Sequence, residues 1–143
     1  MGGRGGGGHG SDDVGRLYRE MQKDWGGATV NQNTGAWVPQ GIDAYAVTET
    51  DTLSIDENAS KAEFARAYTN AQSRFGSSPY IGVFHDNAKG TIDFNGTQVV
   101  KTTADVDRLF AQGNPVSGGA YHFKTGNGYW PQGRPTSYQP YAA

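Results

Sequence analysis

Acid–base and metal chemistry in proteins draws first on histidine, and this chain carries three: His9, His85 and His122. His9 sits in a glycine arm that offers no scaffold to hold a ligand or base. His85 and His122 fall in strand-like runs and can approach each other in a sheet. With Asp86 and Asp93 they are the one constellation able to hold a divalent metal or perform proton transfer. Metal sites usually show ligand pairs at i, i+2 or i, i+4, and neither His85 nor His122 has a partner at such a spacing. Each histidine is therefore expected to be a strand residue facing solvent or a polar interface, with no metal, no cofactor and no catalytic residue.

Other chemistries fare no better. The absence of cysteine removes disulfides, thiol nucleophiles and thiolate zinc sites. No Gly-x-Ser-x-Gly elbow occurs, and the serines fall in caps and loops. The glycines at 5–8 lack both a preceding strand and a Lys-Ser/Thr ending, so they do not cradle phosphate. Asp105 and Asp107 read as the N-terminal charges of a helix. With 12 basic and 14 acidic residues and a net charge of −2, the chain shows none of the basic stripe that phosphate-backbone binding needs. Neither a nucleic acid nor a membrane is expected as a partner. No apolar run approaches the length of a membrane span, and no secretory signal is read at the N-terminus.

The elements that would position these residues follow from periodicity. The 143 residues fit one domain, and 22 of them are glycine, six within the first eight positions. Ser11 reads as an N-cap, and Val14, Leu17, Tyr18, Met21 and Trp25 form one apolar stripe that must pack on the core or on a partner. Val30 to Val38 is extended and broken by the turn Asn33-Thr34-Gly35. Ile42 to Val47 alternates, with Ile42, Ala44 and Ala46 on one face and Tyr45 and Val47 on the other. Ser60-Lys61-Ala62-Glu63 is a capping box opening a helix whose stripe is Phe64, Tyr68, Ala71 and Phe75, stopped by Gly76. Tyr80 to His85 and Thr91 to Phe94 form a hairpin around Asp86–Gly90, and the chain stays extended to Val100. A shorter helix carries Val106, Leu109 and Phe110 inward, and Ala120 to Lys124 is a last strand.

From residue 42 the order is β-α-β-β-α-β, the ferredoxin-like order of an α+β fold, with two helices expected on one face of a small antiparallel sheet. That order invites comparison with RNA-recognition folds, and Tyr45, Tyr80 and Phe94 would supply stacking aromatics. The Lys/Arg-Gly-aromatic pattern of those folds is missing. The chain divides into an arm and amphipathic helix (1–28), an α+β core (29–126) and a Pro/Tyr-rich extended tail (127–143).

The opening Met1-Gly2-Gly3-Arg4-Gly5 resembles the start of many small uncharacterised proteins of tailed bacteriophages and prophages. The blocks Tyr80–Asp86, Gly90–Phe94, Val99-Val100 and Gly119–Gly126 follow the same order, over about half the chain; the Tyr/Pro-rich ending departs from it. Such proteins tend to be encoded near head and portal genes. The resemblance implies a non-enzymatic structural protein of the virion, a minor or decorating subunit made in the host cytoplasm and attached to the capsid or neighbouring head components. Arg4, Tyr129, Trp130, Tyr138 and Tyr141 are expected to make the partner contacts, with self-association as a further option. The alternatives are an effector that inhibits a host protein and, more weakly, a metal-dependent enzyme using His85, His122 and Asp86.

Overall fold

The computed structural model describes residues 11–112 and 116–131. Arg4, Tyr138 and Tyr141 lie outside the described residues.

Helix α1 (Ser11–Met21) turns Leu17 and Met21 fully inward, with Val14 and Tyr18 packed beside them. The stripe finds its partner within the chain: the Tyr18 hydroxyl donates to the Ala59 carbonyl at 3.2 Å. Trp25 departs from the expected stripe. The helix ends at Met21, two tight turns reverse the chain, and the indole emerges 42% exposed.

Strand β1 (Gly27–Asn31) ends in the anticipated turn, where Gly35 adopts φ 75° and Asn31 Oδ1 accepts from the N–H groups of Asn33 and Thr34. Trp37 bridges back to Val30, and the Arg16 guanidinium lies 3.8 Å from its ring centroid. Strand β2 (Tyr45–Asp56) is long and irregular, its register shifting between Thr48 and Thr52. The Asn95 amide repairs that irregularity by donating to the carbonyls of Glu49 and Asp51 and to Thr52 Oγ1. Helix α2 (Lys61–Arg74) has its capping box complete: Ser60 Oγ accepts from Glu63 N–H, and Glu63 Oε1 accepts from Ser60 N–H.

Strands β3 (Tyr80–Asp86) and β4 (Thr91–Val100) form the hairpin. Helix α3 (Thr103–Ala111) starts at an N-cap threonine, Thr102. Strand β5 (Val116–His122) and the short β6 (Gly128–Tyr129) complete the sheet. All pairings are antiparallel, in the order β1-β3-β4-β2-β5-β6. The fold is thus mixed α+β, a curled six-stranded antiparallel sheet with three helices.

Two apolar clusters join helices to sheet. Phe64, Ala67, Tyr68, Ala71 and Phe75 of α2 and its C-cap close over Ile81, Val83, Ile92 and Phe94 together with α1. Val106 of α3 meets Val47 and Ala120, with Tyr45, Leu109, Phe110 and Tyr129 around them. A third cluster, Ala44, Ala46 and Phe123 with Val38, Val99 and Tyr121, seats the segment that runs from β1 to β2.

The folded unit is therefore wider than the span 29–126. It takes in α1 and β1 on one side and β6 on the other. Tyr129 and Trp130, read from sequence as extended tail, are folded residues. Tyr129 packs edge-on at 6.2 Å from Tyr45 and donates its hydroxyl to Asp107 Oδ1 at 2.7 Å. Trp130 lies over Gly119, where a Cβ would meet the indole at 2.7 Å. Nothing periodic marks so short a strand, and its pairing with Ala120 and Tyr121 is what fixes it.

Candidate functional site

The histidines do not meet. His85 stands on β3 and His122 on β5, with β4 and β2 between them, and the registers set His85 level with Ile55 and His122 level with Tyr45, at opposite ends of β2. His85 is nearly buried, its Nδ1 2.9 Å from the Lys23 carbonyl and its Nε2 2.8 Å from Glu57 Oε1. Both ring nitrogens thus face acceptors, an arrangement that suits the doubly protonated imidazolium. Burial opposes the charge, but the Glu57 hydrogen bond, the Lys23 carbonyl and the charges of Glu57 and Asp24 outweigh it, and the imidazole is held above its ordinary value.

His122 stacks on Tyr45 at 4.2 Å, with Nε2 2.9 Å from Asp43 Oδ1 and Nδ1 3.1 Å from Thr125 Oγ1. The His122 hydrogen bond holds the Asp43 carboxyl below its usual range. Each histidine ties loops to a strand. Among the described residues no group of three or more His, Asp or Glu side chains is placed to hold a metal ion.

The aromatics weighed for base stacking do not share a platform. Phe94 is fully buried beneath α2, with rings of Phe64 and Tyr68 against it. Tyr45 is taken up by His122 and Tyr129.

What the fold does build is a cavity on the side of the sheet that turns away from α2. Strand alternation decides its wall: Ile81 and Val83 go to the core, while Gly82, Phe84 and Asp86 line a cavity of about 540 Å³. That volume lies in the range of small-molecule sites. Its floor is threonine and asparagine from β1, β2 and β4, and Gln40, Tyr121 and Phe123 stand at one end. Trp25, Phe84, Glu20, Asp86, Asp93 and Lys89 stand at the other. Gly82 leaves room for Thr97 in the floor, since a Cβ there would meet Thr97 Oγ1 at 2.8 Å.

Asp93 is nearly buried, and its Oδ1 accepts from Ser54 Oγ at 2.7 Å and Thr91 Oγ1 at 2.9 Å. Asp86 is equally buried, and its Oδ1 accepts from the N–H groups of Ala88 and Lys89 in the hairpin turn. Asp86 and Asp93, singled out in sequence as histidine partners, therefore belong to a different constellation. Trp25 and Phe84 were missed. The available signal was the alternation of Ile81-Gly82-Val83-Phe84, in which one face carries glycine and an aromatic instead of a second apolar layer.

The class defined by these features is an α+β protein with an open, carboxylate- and aromatic-lined sheet face. Comparison with protein-family models, with curated proteins and with solved structures gives no match to this chain. No described helix is long and apolar enough to cross a membrane.

Proposed function

We propose that the protein is a non-enzymatic assembly subunit, of the bacteriophage-particle kind that its N-terminal sequence and block order resemble. The observation that supports the non-catalytic half of this reading is the use of His85 and His122 as structural ties, each bonded through both ring nitrogens. A histidine so engaged is positioned by its protein partners, which favours a structural role.

The assembly half rests on sequence resemblance and on the Tyr- and Pro-rich residues that follow Trp130, among them Tyr138 and Tyr141. Such segments suit extended recognition by a neighbouring subunit. Arg4 of the glycine arm belongs to the same set of proposed contacts, whereas Tyr129 and Trp130 act by anchoring the tail's origin to β5. Within the sheet, β3-β4-β2-β5 is the neighbour order a ferredoxin-like arrangement calls for. Tyr45 and Val47 pack with α3, and Leu53 and Ile55 with α2, at positions of one parity along β2, which supports two helices on one face.

The test is quantitative mass spectrometry of particles purified from the source phage. The full chain is expected at fixed stoichiometry, and a chain ending at residue 131 is expected to fold but to be depleted at least about tenfold. Absence of the intact protein from particles would overturn the reading.

A further inference from the structure

Trp25 is one of two large hydrophobic side chains exposed among the described residues, and the one non-glycine residue there with a positive φ, 55°. Its N–H donates to Asn87 Oδ1 at 2.5 Å, and Asn87 Nδ2 donates to Asp24 Oδ1 at 3.2 Å. The loop after α1 is thereby clamped to the β3–β4 turn, and the indole stands with its centroid 5.9 Å from the Phe84 ring. Phe84 on β3 in turn pairs directly with Asp93 on β4. The Asp93 side chain, nine-tenths buried, has one saturated oxygen. Its Oδ2 takes no hydrogen bond from the described residues, yet it is not among the atoms sealed from solvent, so it opens on the cavity. Asp86 Oδ2, two residues along the same face, has only the Lys89 ammonium nearby, at 4.0 Å.

We propose that this end of the cavity binds a small organic cation, with an ammonium group at the free oxygens of Asp93 and Asp86 and an apolar body against Phe84 and Trp25. Charge selects the sign: Glu20, Asp86 and Asp93 line the wall against a single Lys89. The aromatic pair selects an organic cation over a bare metal ion, because the rings can cover an apolar body and offer a metal no donor atoms. Lys89 is 71% exposed at its side chain and gives way to the incoming ammonium at Asp86. The site is independent of the assembly reading, since it uses no residue of the arm or tail.

The same ammonium chemistry is carried by free amines and by lysine side chains, and a cavity of about 540 Å³, the size of small-molecule sites, favours a free amine. The full chain would be titrated with phenethylammonium, with 3-phenylpropionate and with acetyl-Gly-Lys-Gly-amide, followed by amide NMR shifts. Phenethylammonium is expected to perturb Gly82, Phe84 and Asp93 and to bind at least about tenfold more tightly than the other two probes. Asp93→Asn keeps the acceptor for Ser54 and Thr91 while removing the charge, and should weaken the amine about tenfold. Trp25→Gly, which also relieves the positive φ, should weaken it several-fold and keeps the test open if Asp93→Asn does not fold. Equal affinity for the amine and the carboxylate, or unchanged amine affinity in both variants, overturns the proposal. Tighter binding of the lysine peptide overturns the assignment to a free amine.

Discussion

At the scale of single residues, His85 is the group whose protonation the fold most directly exploits. Its imidazolium joins the loop after α1, through the Lys23 carbonyl, to the loop after β2, through Glu57. The folded imidazole titrates above its ordinary value of about 6.5. A group raised on folding contributes stability that is fully present below the unfolded value and is lost as pH rises through the folded one. The urea midpoint is thus expected to fall as pH rises from about 6 through the neutral range, and Glu57→Gln should flatten that dependence. An unchanged slope in Glu57→Gln would mean that another group sets it. Tyr68 shows the opposite influence of burial, which pushes its phenol up to about 12, with the Asp13 charge adding to the effect. It remains neutral throughout that experiment.

At the scale of elements, α2 is the piece whose local and tertiary signals agree most fully. Its capping box satisfies two N–H groups, and Phe64 on its inner face is wholly enclosed by Tyr18 and Phe94 rings among others. Phe64→Ala is expected to cost about 3–5 kcal/mol, because it empties a site with no room to collapse between two packed layers. Ser60→Ala should cost about 1 kcal/mol, the usual value of a lost cap. Equilibrium denaturation checks both, and a cap effect rivalling the core effect would contradict the packing described. The surface pair Arg74–Asp51, although bidentate, is solvent-exposed on both sides and should change stability little when broken.

At the scale of the whole molecule, the last described residues belong to the folded unit. Trp130 covers Gly119 so closely that any side chain at 119 displaces it, and Tyr129 ties β6 to α3 through Asp107. Gly119→Val is expected to lower the melting temperature by several degrees, as a loss of about 1–3 kcal/mol does in a domain of this size. Ending the chain at residue 131 should leave it nearly unchanged, whereas ending it at 127 should cost as much as Gly119→Val. Differential scanning calorimetry of the three variants separates these outcomes, and equal melting temperatures for the two truncations would place the boundary of the folded unit before β6.

The sequence by itself determined most of the elements, but not β6, and β5 runs Val116–His122 where a strand from Ala120 to Lys124 is expected. A capping box, a 3.6-residue stripe at Phe64–Phe75 and two-residue alternation from Tyr80 onward are local signals, carried by residues a few positions apart. It also excluded thiol chemistry outright. Tertiary structure alone decided who meets whom. His85 and His122 are both strand histidines, but β4 and β2 separate them, because strand order depends on pairings between distant segments. Tyr129 and Trp130 look like tail until β5 supplies the partner strand and Gly119 the space. The cavity brings Trp25, Phe84 and Asp93 together from three segments, and it exists because the sheet curls. Alternation tells which residues share a face of one strand; only the register between strands, set by hydrogen bonds across the sheet, tells which of them become neighbours.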